Sequence, residues 1–599
     1  MLAPNSRLML LECLRPPTGF TLDAAVGTTY TLALDALLIP PAAWAVHSIG
    51  DRLDRADPIL LANSLRLFAE RTVVFHQAGA ASTFSDGGGE LLSAFLDEMV
   101  FPVRVGSGET FHPKVWVLRF TGKDGDKGLR VLVGSRNLSL DATWDVLVTL
   151  DSGPKVDGAA TGVQLANMLR SLPSRSTVTL PPARLDLVES LPTDLASAYF
   201  TPPDRCSSAE LLWWSPRNPP KQMFPSVCRR RLVISPFLGS GGLNRLPTAS
   251  EPGGSYLVSR QSSIDSALAA GFDAYTLKTD MAGVEDGDEA RLGNDLHAKV
   301  FAFDTDESST LIIGSANATA AAFTMNDEVV VRLIGSTSNL GVNALLGEQS
   351  EGGGHGAELE LIDVLESWSA DEEEGAEDDD SRFFETAIHS VASLQLSGTC
   401  SESAQGRFAL SLRLSAPVNL PTGLSVEFAL LGQAIPLPSA LQRGELVALD
   451  LELEALTRFV SARFSDRSGV VEAVSVVLIA DVEMPAGRAR RALRQLLTNR
   501  EKFGRFLRYL LESGQDPTIP GEGDESLGLV KAQPRRSRAV IAVEGPILEQ
   551  LLRLLASRPS DLRQLDAVIK DFGDDEELFL DGFVNLWKAI APLIPGEES

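Results

Sequence analysis

Two stretches of the chain share one arrangement of apolar and polar positions. In each, a polar tripeptide opens an apolar run, a turn follows, and a second apolar run closes on a small polar tetrapeptide. The first copy is His112-Pro113-Lys114, Val115 to Phe120, then Leu129 to Val133 and Gly134-Ser135-Arg136-Asn137. The second is His297-Ala298-Lys299, Val300 to Phe303, then Leu311 to Ile313 and Gly314-Ser315-Ala316-Asn317. Short apolar runs bounded by turn signals read as strands. Alternate side chains of a strand share a face, so each His and Lys should address the same space, with Ser and Asn converging from the neighbouring strand.

Around each copy the pattern alternates between strand and helix. Thr28 to Pro40 reads as strand into helix, Ser64 to Glu70 as helix, Thr72 to His76 as strand, Glu90 to Met99 as helix, and Val163 to Leu172 as a helix covering the sheet. A second unit begins at Leu232 and runs through a strand at Tyr256 to Ser259 and a helix at Ile264 to Ala270. The expectation is an α/β fold built from two similar lobes about a pseudo-twofold axis, residues 1–180 and 221–346, joined by a Pro- and Ser-rich connector at 181–220 with one helix, Asp186 to Tyr199. An acidic linker follows at 347–382, with eight acidic residues among the ten from Asp371 to Asp380. Residues 383–485 read as an all-β, sandwich-like accessory domain with strands at Val391 to Leu396, Arg407 to Leu414, Leu424 to Leu431, Leu446 to Leu453, Phe459 to Phe464 and Val470 to Ala480. Residues 486–599 read as an α-helical C-terminal region. Arg488, Arg490, Arg491 and Arg494, with Arg535, Arg536 and Arg538, make this end locally basic and are expected on solvated faces.

Charge narrows the function. A net charge of −27 on 599 residues argues against a broad nucleic-acid coat, which needs a basic footprint, and leaves room for a local basic cleft. Cys13, Cys206, Cys228 and Cys400 are far apart and show no metal-ligand spacing, so they read as reduced thiols. With neither a targeting signal nor a membrane-length apolar run, the chain is expected to be soluble and cytoplasmic.

The repeated residues suit attack on a phosphodiester. Such a site needs a nucleophile, an acid for the leaving oxygen and cations on the remaining oxygens. Two imidazoles can divide the first two roles: one attacks, and the other protonates the leaving oxygen and then activates the water that resolves a phosphohistidine. Lys114 and Lys299 would neutralise charge, and Ser135, Ser315, Asn137 and Asn317 would donate hydrogen bonds. This inventory requires no metal or cofactor. Each histidine also needs an acceptor on its other nitrogen. Glu328, eleven residues after Asn317, is the candidate in the second copy; Asp145, eight after Asn137, holds the equivalent place in the first, with Asp141 a weaker alternative.

His-x-Lys with a downstream Gly-Ser-x-Asn, present twice, resembles the phospholipase D superfamily over roughly residues 20–340. That superfamily includes phospholipases, phosphatidyl transferases, tyrosyl-DNA phosphodiesterases and metal-independent nucleases. The second copy fits the fuller pattern His297-x-Lys299-x4-Asp304, whereas the first has Arg119 where the superfamily usually has Asp. There the Asp mainly supports the structure and nucleic-acid-processing members often lack it, so the departure points away from lipid chemistry. The resemblance implies His112 as the nucleophile and His297 as the acid/base.

The expected activity is therefore metal-independent phosphodiester cleavage of DNA or RNA, as a nuclease in bacterial anti-phage defence. A phospholipase or transphosphatidylase, and an inactive scaffold recruiting a helicase-like partner, are the alternatives. Trp213 and Trp214, before Arg217, Lys221 and Arg229 to Arg231, read either as a stacking cleft or as packing of the second lobe. Trp214, Arg230 and Arg260 are accordingly candidate substrate contacts, and Gln77 and Ser259 occupy places from which they could reach the cleft.

Overall fold

The structure is a computed structural model of the chain. It describes most of residues 10–496, residues 583–594 and scattered positions from 503 to 570; the larger stretches outside it are 1–9, 42–64, 85–92, 279–294, 348–359, 371–378 and the remainder of 497–582. Asp141, most of the acidic run, the basic residues Arg535, Arg536 and Arg538, and most of the C-terminal helical faces lie outside the described residues.

The fold is mixed α/β with several sheets. In the first half, β1 (Phe20–Thr29), β2 (Thr72–Gln77) and β3 (Val100–Val103) run parallel. After β4 (Thr110–Phe111), strands β5 (Val115–Gly122) and β6 (Lys127–Gly134) form an antiparallel pair. β5 lies against β1, and β6 against β8 (Leu147–Gly153), which follows the short β7 (Thr143–Trp144). β9 (Ala160–Thr161) and β10 (Tyr199–Phe200) complete an eight-stranded sheet in the order β9-β10-β8-β6-β5-β1-β2-β3. Between β9 and β10, helices α1 (Val163–Arg175) and α2 (Pro182–Ser197) follow in sequence.

The second half repeats this plan. Its strands are β11 (Cys206–Trp214), β12 (Arg230–Ile234), β13 (Ser255–Val258), β14 (Asp273–Leu277), β15 (Asp295–Leu296), β16 (Val300–Asp304), β17 (Ser309–Gly314), β18 (Asn326–Gly335) and β19 (Leu365–Ser367). Sheet order is β11-β18-β17-β16-β12-β13-β14-β19. The run β18-β17-β16-β12-β13-β14 matches β8-β6-β5-β1-β2-β3 in order and in every parallel or antiparallel sense. Central strands buried on both faces read as unbroken apolar runs, as Val131, Leu132, Val133 and Leu311, Ile312, Ile313 do.

The connector is more structured than its composition suggests. β11 pairs along its length with β18, from Cys206↔Gly335 to Trp214↔Glu328, and β10 belongs to the first sheet. Backbone pairing along an open sheet edge, with Leu211 and Trp214 turned into the core, outweighs the turn residues on either side.

Beyond residue 378, helix α3 (Asp379–Ala392) takes up Val391, expected in a strand, because Phe384, Ala387 and Val391 share a helical face in the core. Sheets of three strands, β20 (Leu396–Glu402), β21 (Phe408–Leu414) and β24 (Val447–Leu451), and of four, β22 (Leu424–Leu430), β23 (Ile435–Pro436), β25 (Phe459–Asp466) and β26 (Val474–Ile479), share that core. This unit is clamped to the first half by a buried ion pair. Arg488, on α4 (Arg488–Leu496), donates to both oxygens of Asp97 at 2.8 and 2.9 Å, and Thr457 and the Arg458 amide donate to the same carboxylate. Arg488 thus departs from its expected solvated face, being 1 % exposed. Among the described residues, no helix is long and apolar enough to cross a membrane.

Candidate active site

The two repeats meet through a reciprocal exchange of backbone. β4, the two residues before His112, pairs with Asn326 and Asp327, the two before Glu328. β15, the two residues before His297, pairs with β7, the two before Asp145. The His112 amide donates to Asp327 O at 3.1 Å, and the His297 amide to Trp144 O at 2.8 Å. Each histidine therefore enters beside the acidic residue of the opposite copy. His112 and Lys114 sit in an extended segment just ahead of β5 rather than within a strand.

The two histidines then differ. His112 Nδ1 donates to Glu328, 2.9 Å from Oε2 and 3.1 Å from Oε1. Glu328 is wholly buried and is further held by the Ser315 hydroxyl and by Asn326 Nδ2 at 3.0 Å. His297 Nδ1 instead donates to the Ser135 carbonyl at 2.8 Å, and no hydrogen bond joins it to Asp145. The acceptor expected of Asp145 is thus a backbone oxygen, and Asp145 faces the charges of Arg136 and Lys299. Because a carbonyl only accepts, the shorter contact puts the His297 proton on Nδ1, which Lys299 Nζ also approaches at 3.2 Å, and Nε2 is the nitrogen each ring keeps for a substrate.

The lysines are buried with the histidines. Lys114 Nζ donates to His112 O at 3.1 Å. Lys299 Nζ donates to His297 O at 2.9 Å and, across the lobes, to Ser135 O at 3.2 Å. Burial lowers the Lys114 pKa to about 7, although Glu328 pulls the other way. Burial, then Lys114, brings Lys299 well below its ordinary value. Burial lowers His112 to about 4 against the pull of Glu328, and burial with Lys299 and Lys114 lowers His297 to about 2. Burial would raise Glu328, but the charge and hydrogen bond of His112, with Lys114 and Ser315, hold it below the usual carboxylate value. At neutral pH this gives two neutral imidazoles beside one buried carboxylate.

The Gly-Ser-x-Asn loops are fixed by short-range devices. Ser135 Oγ accepts from the Val146 amide, and Ser315 Oγ from the Val329 amide, both at 3.0 Å. Gly314 has no room for a side chain: a Cβ there would lie 2.3 Å from Val329 O. Asn137 Oδ1 and Asn317 Oδ1 are both buried with no hydrogen-bond partner, a state that buried polar atoms rarely keep without a functional reason.

Further residues of this region escaped the sequence reading. Thr29 Oγ1 accepts from the Leu138 amide and donates to Thr31 O; Ser235 Oγ accepts from the Ala318 amide and donates to Phe237 O. These equivalent hydroxyls pin the residue after each motif asparagine. Both end the first central strand of their sheet, in Thr28-Thr29-Tyr30 and Ile234-Ser235-Pro236, which is the signal that could have found them. Tyr30 packs on His112 with ring centroids 5.6 Å apart.

Gln77 and Arg260 are also equivalent. Gln77 Oε1 accepts from the Phe111 amide at 2.9 Å and Arg260 Nε donates to Leu296 O at 3.1 Å, each on the residue before a histidine. Ser259 is buried and donates to Ser235 O at 2.6 Å, so it braces the strands. Trp214 and Arg230 stand elsewhere. Trp214 is 2 % exposed, donates from Nε1 to Ala322 O and stacks on Phe323, leaving no face for a base. Arg230 pairs with Asp304 at the far end of β16 from Lys299, and it donates to Glu251 and Asn343.

Asp304 accepts from Ser309 Oγ at 2.7 Å and from the Val342 amide at 3.1 Å, away from the histidines. Arg119, at the matching place, donates to Asp23 at 2.5 Å and Asp194 at 2.9 Å. Both residues brace the outer ends of their strands. Among the described residues, no group of three or more His, Cys, Asp or Glu is placed to hold a metal ion.

No family model matches the chain and no curated protein matches it. Solved structures similar to it include a mutant of yeast tyrosyl-DNA phosphodiesterase, 12% identical, covering 53% of this chain and 85% of that one at a TM-score of 0.32. Phosphatidylserine synthase of Haemophilus influenzae is 12% identical, with coverage of 56% and 81% and a TM-score of 0.30. Polyphosphate kinase of Porphyromonas gingivalis is 13% identical, with coverage of 54% and 41% and a TM-score of 0.29.

Proposed function

We propose that the chain is a phosphodiesterase of the phospholipase D type that cleaves nucleic acid through a phosphohistidine. The observation that carries this is the convergence of His112 and His297, each turned by an Nδ1 hydrogen bond to present Nε2, with Lys114 and Lys299 beside them. His112 Nε2 attacks phosphorus while the bond to the leaving oxygen breaks, and His297 supplies that oxygen's proton from Nε2. Water then attacks the phosphohistidine, giving its proton to His297 as the phosphorus–nitrogen bond breaks. Glu328 favours His112 as the nucleophile, because its charge offsets the positive ring that the covalent step creates.

His297 must be protonated for the first step. The diester's negative charge opposes the cations that depress its pKa, so substrate binding and proton uptake go together. Asn137 and Asn317 would direct their amide groups at the phosphoryl oxygens. Arg136 and Arg260 make the cleft locally basic on an acidic chain, and Lys114 and Lys299 take up protons as an anionic diester enters, which supports nucleic acid as substrate. A role in anti-phage defence beside a helicase-like partner is the extension of this proposal, supported by the accessory unit fastened to the first lobe.

The test is cleavage of labelled single- and double-stranded DNA and RNA in excess EDTA, with His112→Ala and His297→Ala alongside. Retained ³²P on the wild-type protein after acid-free quenching, absent in His112→Ala, is the expected sign of the intermediate. EDTA-sensitive cleavage, or cleavage that survives His112→Ala, refutes the mechanism. Release of headgroups from liposomes without cleavage of nucleic acid would instead make it a lipid enzyme.

A further inference from the structure

The two sides of the site are unequally furnished. After the first central strand of its sheet, the second lobe carries Phe237 where the first carries Thr31, each carbonyl bound by the equivalent hydroxyl of Ser235 or Thr29. At the next paired position Arg260 stands opposite neutral Gln77. At these two matched positions the second lobe carries an aromatic ring and a cation where the first carries a threonine and a glutamine.

Phe237 is 44 % exposed on a backbone held from several sides. Ser235 Oγ donates to its carbonyl at 2.7 Å, Ser263 Oγ donates to Pro236 O at 2.7 Å, and Leu238 bridges Ala318, the residue after Asn317. The Arg260 guanidinium lies over the ring, 4.9 Å from its centroid, and is close enough to Lys299 for its charge to depress that lysine. Single exposed apolar side chains are common on protein surfaces. This one is set apart by rigid seating and by a cation on its ring that also holds the carbonyl of Leu296, the residue before His297.

We infer that Phe237 and Arg260 form a subsite for one unpaired base of the nucleic acid, on the His297 side of the scissile phosphate. The inference rests on the proposed nuclease reading and narrows its substrate to single strands. An aromatic platform with a guanidinium stacks any base without reading its edge, so the subsite is sequence-tolerant. A base in a duplex has both faces stacked already and cannot use it. Since His297 serves the leaving oxygen, the stacked nucleotide belongs to the leaving fragment.

The experiment uses full-length His112→Ala protein and fluorescein-labelled single-stranded oligonucleotides with one abasic residue walked along the strand. Anisotropy should show affinity falling about ten-fold when the abasic residue occupies one register. Adding Phe237→Ala should weaken the intact strand about ten-fold and abolish that register dependence, and Phe237→Trp should restore both. Equal affinity for intact and abasic strands, or binding unchanged by Phe237→Ala, overturns the subsite while cleavage by wild type leaves the nuclease reading standing. Duplex bound as tightly as single strand, with the same Phe237 dependence, also overturns it. No binding of any oligonucleotide together with no cleavage by wild type removes the nuclease reading, and the subsite with it.

Discussion

Glu328 of the second lobe accepts the Nδ1 proton of His112 in the first, 2.9 Å away, with neither residue more than 8 % exposed. Glu328→Gln keeps the shape and removes the charge that, in the proposed mechanism, offsets a developing phosphohistidine. The expected loss in kcat is about 100-fold or more, with much less change in KM. Single-turnover kinetics should place the loss in the covalent step.

Asp145 occupies the matching place by His297 without bonding to it. Asp145→Asn is accordingly expected to cost less than Glu328→Gln, about ten-fold or less in kcat/KM. Equal losses in the two variants would mean that Asp145 turns to His297 during the reaction.

Lys114 should oppose folding while serving the site. Its folded pKa of about 7 lies below the ordinary lysine value, so the unfolded chain binds the extra proton. The penalty is full below about pH 7, shrinks as pH rises towards the unfolded lysine value and is gone above it. Lys114→Met should therefore raise the melting temperature at pH 7 by about 2–5 °C while abolishing cleavage. The gain should fade in melts at higher pH.

The same proton governs binding. A phosphodiester stays singly charged across this range, so KM should rise above about pH 7 as Lys114 loses its charge. Calorimetry of a non-hydrolysable diester in buffers of different ionisation enthalpy should register net proton uptake at pH 8, drawn by Lys114 and His297. Release of protons would contradict the direction of both shifts.

Arg119 and Arg488 should matter for stability alone. Arg119→Ala strips Asp23, Asp194 and Ser190 of their shared donor and is expected to lower the melting temperature while leaving kcat/KM within about two-fold. Arg488→Met leaves the buried Asp97 carboxylate without its cation and should cost about 3–5 kcal/mol in denaturant unfolding.

Much of the candidate site was legible because its residues lie in short, repeated tripeptides and tetrapeptides, and strands buried on both faces write themselves as apolar runs. Pairing across the lobes was not. Spacing set Glu328 beside its own copy's His297, whereas the β4–β18 and β7–β15 bridges send each acidic residue across. A backbone acceptor such as Ser135 O leaves no trace in residue identity. Trp214 and Arg230 looked like cleft residues because aromatic and basic side chains also serve cores and strand ends; only the register of β12 and the packing on Phe323 separate the uses. Phe237, just beyond the end of β12, went unremarked because a single apolar residue after a strand carries no signal of its own.

The exchanged bridges also bear on any attempt to divide the chain. Either half alone would hold a histidine without its acceptor and a backbone edge with nothing to pair. The two halves are fastened like the parts of a clasp, and neither can complete a site without the other.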